Sequence, residues 1–189
     1  HIIVDGWCTG LYMGSFVRYL REELKSTESI EAETQEAGRY EAAVREILKK
    51  DMHAGLDYWR ELLDGYETRA AVPSYGKVPE DKRSKDDDAF IAISQKVTSD
   101  FEQACREAGA TINTGVELAF GLVLGTCSRQ ADVVFAKVVS GRDNTRVKTE
   151  DVVGLFINSV PVRVRIDQNT TAMTALRALQ EQAAKSNAY

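Results

Sequence analysis

Residues 132–139, DVVFAKVV, are nearly continuous in apolar and β-branched side chains. No other stretch constrains the fold as tightly, because such a run reads as a strand buried on both faces. A second strand is marked by Val160, Val162, Val164 and Ile166; Arg163 and Arg165 alternate with them, so one face is expected to meet water. Helical spacing surrounds this pair. Met13, Phe16, Val17, Leu20 and Leu24 place one apolar stripe on a helix from about Thr9 to Lys25. Ser26 to Gly38 is polar and reads as loop. Tyr40, Val44, Ile47 and Leu48, then Met52, Leu56, Trp59 and Leu63, predict a second helical region with a break near Asp51 and a stop at Gly65.

Further along, Phe90 to Ser94 reads as a short strand. The pattern Ser99-x-x-Glu102 predicts the start of a helix that Gly109 closes, and Thr114-x-x-Glu117 predicts the start of another, carrying Val116, Phe120, Val123, Leu124 and Cys127. Thr171 to Lys185 is an amphipathic helix. The expected class is therefore α/β with a mixed sheet, in two lobes. Pro73, Pro79 and the charge run Glu80 to Asp88 set off residues 66–88 as a linker between 1–65, the end of an N-terminal lobe, and 89–189, part of a C-terminal lobe.

Composition narrows the functional classes. Of 189 residues, 43% are hydrophobic and 28% charged, as in ordinary globular chains. No apolar run approaches the roughly 20 residues of a membrane helix, and no basic, apolar and small-residue series marks a signal peptide. A formal charge of −5, with no stripe of Lys and Arg, argues against a nucleic-acid partner. Three cysteines, Cys8, Cys105 and Cys127, form no CxxC pair, so neither a disulfide framework nor a zinc site is indicated and a reducing cytoplasm is expected. The chain has no initiator Met and opens on what reads as mid-strand, so an excised piece of a longer protein is expected.

Phosphate-binding, dinucleotide and nucleophile-elbow signatures are missing. Histidine chemistry falls to His1 or His53, the two histidines present. His53 sits among charged helical positions and reads as part of a solvated face. His1 opens HIIVDGW, an apolar run that turns a corner at Asp5-Gly6. Spacing alone makes no metal site of His1 and Asp5, and Cys8 beyond the corner reads as a small buried thiol rather than a nucleophile.

HIIVDGW resembles the HHxxxDG motif of the condensation domains of nonribosomal peptide synthetases, with His1 as the second histidine. Three further blocks follow in that family's order. Residues 57–67, DYWRELLDGYE, look like its YWxxxLxGYE segment; 133–142, VVFAKVVSGR, like its VVFGxVVSGR strand; and 154–163, GLFINSVPVR, like its GxFxNTxPxR motif. Ala136 stands where the family usually has Gly, and Ala43 and Glu46 stand at positions usually aromatic.

The resemblance implies a two-lobed fold like that of chloramphenicol acetyltransferase and an amide-forming reaction between donor and acceptor thioesters held on carrier proteins. His1 would be catalytic. Asp5 would pair with an arginine, for which Arg142 is the candidate, and Gly6 would allow a tight turn and close approach of the pantetheine arm. An exposed strand-end charge is an equally open reading of Arg142. Trp7 and Asn158 are candidate channel-lining residues, though Asn158 also reads as a turn former. No directly bound cofactor is implied, since the phosphopantetheine arm comes with the donor and acceptor peptidyl carrier proteins; an adenylation domain is the expected neighbour. An epimerization domain and an inactive carrier-docking domain are the alternatives.

Overall fold

The structure, a computed structural model, describes residues 3–21, 38–73, 90–142 and 147–189. His1, Leu24, Lys25, residues 26–37 and the charge run 80–88 lie outside the described residues. Helices and strands are mixed: α1 (Cys8–Leu20), α2 (38–47), α3 (Met52–Leu63), α4 (Gln95–Ala108), α5 (Ile112–Ser128), β1 (Asp132–Val139), β2 (Asn158–Arg165) and α6 (Ala172–Ser186). Contacts group the described residues into two units. One comprises those within 1–59, 136–160 and 187–189; the other comprises those within 60–135 and 161–186. The partition at 66–88 is not decided by these units, since 74–88 is outside the described residues.

In the second unit, α4, α5 and α6 pack on one another. Leu118 and Leu124 of α5 meet Val133 of β1, Val162 and Val164 of β2, and Leu176 and Leu179 of α6 in one buried cluster. Each fully buried Val or Leu of this set contributes about 1.5–3 kcal/mol. The strands are antiparallel: Ile166 donates its N–H to the Ala131 carbonyl at 2.8 Å, and Gly141, beyond the other end of β1, lies against the Phe156 carbonyl.

Several expectations change. Residues 3–7 form no strand; they bend into a turn that feeds α1. Residues 90–94 form none either, and Phe90 is 92% exposed, because an apolar run becomes a strand only where an edge receives its hydrogen bonds. β1 is as predicted in extent but is not buried on both faces among the described residues. Val133 and Phe135 face α5, Phe135 meeting Phe120 edge-on at 4.8 Å, while Ala136 and Val138 are exposed.

The wet face predicted for β2 is half dry. Arg165 is exposed, but Arg163 is 5% exposed. Its guanidinium grips both Asp132 oxygens (2.9 and 2.5 Å) and donates to the carbonyls of Leu62 (2.8 Å) and Asp64 (2.7 Å). This bond to Arg163, against the opposing effect of burial, holds the Asp132 carboxyl below its ordinary pKa. Gln182 of α6 then exchanges two bonds with the Arg163 backbone, covering part of the β2 edge.

Two helix starts also move. Ser94, extended at φ −67° and ψ 150°, accepts from Val97 N–H, so the cap of α4 lies five residues before Ser99. Glu102 pairs with Arg106 one turn on instead of returning to a cap. Thr111 caps α5, and Thr114 is buried with its hydroxyl on Gln180 of α6 at 2.7 Å. The break near Asp51 holds, for its carboxylate accepts from His53 and Ala54 N–H ahead of α3. Gly65 and Gly109 follow their helices at positive φ.

Candidate functional site: a buried aspartate and arginine clamp

Asp5 ends an exposed approach and starts a turn, its carbonyl accepting from Cys8 N–H (3.1 Å) while the Gly6 carbonyl accepts from Thr9 N–H (3.3 Å). The side chain of Asp5 also accepts from Cys8 N–H, at 3.3 Å, placing a carboxylate at the N-terminal end of α1. That side chain is buried, with Asp5 only 4% exposed. Burial of an unpaired carboxylate would cost several kcal/mol. Arg142, 6% exposed, offsets this: Nη2 lies 3.0 Å from Oδ1 and 3.2 Å from Oδ2.

The same guanidinium donates from Nη1 to the carbonyls of Thr149 (2.6 Å) and Val152 (2.8 Å), and from Nη2 to Gly154 (3.3 Å). It lies over the Phe156 ring at 4.5 Å. Thr149 answers with its hydroxyl on the Arg142 carbonyl, 2.8 Å away. Phe156 N–H donates to Asp5 Oδ2 (3.1 Å), adding a backbone partner to the carboxylate. Burial alone would push the Asp5 carboxyl up. The Phe156 N–H, the Cys8 thiol and the Arg142 guanidinium outweigh it and hold the group below its ordinary pKa, ionised at neutral pH.

Backbone geometry permits this clamp at two glycines. Gly141 sits at φ +67°, and a Cβ there would strike the Phe156 carbonyl, so only glycine delivers Arg142 to this place. At Gly154 a Cβ would strike the Tyr40 ring, which meets Phe156 edge-on at 5.3 Å. Ala43, Val152 and Phe156 are buried together with Tyr40 and Val147 against them. The small side chain of Ala43 is therefore a packed core position.

Of the residues singled out in the sequence, the structure brings Asp5, Trp7 and Arg142 together. Trp7 is 57% exposed, with Nε1 donating to the Glu150 carbonyl at 2.8 Å and its ring 5.8 Å from the Arg142 guanidinium carbon. Asn158 stands apart from the clamp, exposed at the start of β2, its side chain accepting from Ser159 N–H at 2.8 Å. Gly6 is not required for the turn, because its φ is not left-handed and a Cβ would meet nothing within 4 Å. His1 lies outside the described residues. Cys8, Tyr40, Thr149 and Phe156 were not singled out as clamp residues. Gly154 and Phe156 belong to the GLFIN block, but nothing in the local pattern marks Thr149.

A family model described as the Condensation domain matches residues 1–189. Bacitracin synthase 3 of Bacillus licheniformis is 31% identical over 189 residues, which is 100% of this chain and 3% of that protein. Tyrocidine synthase 3 of Brevibacillus parabrevis is 32% identical over 189 residues, again 100% of this chain and 3% of that protein. Among solved structures, the condensation domain from the Monacolin K polyketide synthase is similar in fold, with a TM-score of 0.60 at 17% identity over 97% of this chain and 42% of that one. The fold is accordingly of the chloramphenicol acetyltransferase-like kind, and the chain belongs to the condensation-domain family.

Proposed function

We propose that this chain supplies part of an amide-forming site in a nonribosomal peptide synthetase. The amine of an acceptor aminoacyl thioester attacks the carbonyl of a donor acyl or peptidyl thioester. A C–N bond forms, the C–S bond breaks, and the donor's pantetheine leaves as a thiol. Both arms arrive as substrate on carrier proteins, so no resident cofactor is invoked; a neighbouring adenylation domain supplies the acceptor amino acid, and the setting is cytoplasmic.

Little base strength is needed. An α-amino group has a pKa of about 7.7–8.0, so a useful fraction is neutral near pH 7–8, and a thioester carbonyl is already activated. His1 orients this amine and takes or relays its proton as the tetrahedral intermediate forms. Trp7 and Asn158 line the channel that admits the arms.

The observation that supports this division of labour is the engagement of Asp5. Among the described residues its carboxylate accepts from Arg142, Cys8 and Phe156, which supports a structural clamp role for it. The test uses the complete condensation domain with loaded donor and acceptor carriers, the acceptor or donor residue carrying α-deuterium. Amide product with deuterium retained is expected. Loss of α-deuterium without amide would instead identify an epimerization domain, and carrier binding with neither reaction would identify a docking domain.

A further inference from the structure

We infer that Cys8 is a positioning residue of this site, its thiol fixing the 154–156 segment onto the turn that follows His1; this rests on the function proposed above. Cys8 is fully buried, yet its sulfur lies among polar atoms rather than in an apolar pocket. Sγ is 3.2 Å from the Gly154 carbonyl, 3.3 Å from Asp5 Oδ1, 3.3 Å from Gly154 N and 3.5 Å from Arg142 Nη2. The single S–H proton can go to the carbonyl or the carboxylate, while the sulfur lone pairs receive the Gly154 N–H and the guanidinium.

Gly154 and Phe156, two residues apart ahead of β2, both direct their N–H groups at the turn formed by residues 5–8. Gly154 N–H lands on Cys8 Sγ and Phe156 N–H on Asp5 Oδ2, at 3.3 and 3.1 Å. Asp5 and Cys8 thus act as a paired acceptor edge for this segment, in place of a neighbouring strand. Two residues beyond Phe156 comes Asn158, so the thiol sets one of the two points from which the start of β2 is positioned. Removing it leaves the Gly154 N–H without this partner and the Asp5 and Arg142 pair intact. The consequence is displacement rather than loss of the clamp. Misplacement of about 1 Å near a reacting centre can cost on the order of 100-fold.

The experiment compares Cys8→Ala and Cys8→Ser in the complete domain, reading kcat and KM for amide formation. Cys8→Ala is expected to lower kcat by about 10- to 100-fold with KM for the acceptor carrier within about twofold of the parent. Cys8→Ser is expected to restore kcat to within about threefold, because a hydroxyl can donate to Asp5 and accept from Gly154 N–H. Undiminished kcat in Cys8→Ala overturns the inference, as does a Cys8→Ser variant as impaired as the alanine. Should the alanine variant not fold, the serine variant decides alone by keeping or losing activity. Absence of amide product in the parent domain would overturn the proposed function instead, which separates the two failures.

Discussion

At the residue scale, Asp5 shows how one carboxylate can be committed to architecture. The Asp-Gly corner and an arginine partner were legible through the motif, but the sequence left Arg142 open between a buried partner and a surface charge. Burial decides it, and burial depends on Gly141 and on the carbonyls of Thr149, Val152 and Gly154, of which no local pattern marks Thr149. Replacing Asp5 with Asn leaves a buried guanidinium without its counter-charge, so denaturant unfolding should show a loss of about 3–5 kcal/mol. Asp5 also confers a pH dependence of known sign. Its folded pKa is depressed relative to about 3.9 unfolded, so its stabilisation is fully present above that value and is lost as pH falls through the folded value. Stability measured from pH 6 down to 2 should therefore fall less steeply in Asp5→Asn than in the parent. Parallel slopes would remove Asp5 from the clamp.

Elements were legible where one period runs unbroken. α6 was foreseen to within a residue at each end, and β1 in full, because their apolar spacing and flanking residues agree. The expected strand at 90–94 failed for a different reason: a short apolar run says nothing of a partner edge to receive its backbone hydrogen bonds. Capping patterns failed differently. Ser94 and Ser99 both precede apolar helical residues, and only the backbone distinguishes the one that is extended. Ser94→Ala should cost about 1 kcal/mol in thermal or denaturant unfolding, whereas Ser99→Ala should stay within about 0.5 kcal/mol. The reverse order would return the helix start to Ser99. The period along β2 does not reveal that Arg163 is buried, since the acceptors that bury it, Asp132 and the carbonyls of Leu62 and Asp64, come from distant parts of the chain.

On the scale of the whole molecule, sequence order and spatial order part company. Each of the two units gathers residues from separate stretches of the chain. Of the four ordered blocks that carry the sequence resemblance, three meet in the clamp: the turn at Asp5, the strand end at Arg142 and the segment from Gly154 to Phe156. The fourth, 57–67, reaches Arg163 through the carbonyls of Leu62 and Asp64. The proposed reaction gives proton handling to His1. The most direct measurement is the rate of amide formation by the complete condensation domain with His1→Ala, normalised to folded protein. A fall of about 10²- to 10⁴-fold is expected for loss of a positioned base; an undiminished rate would contradict the account.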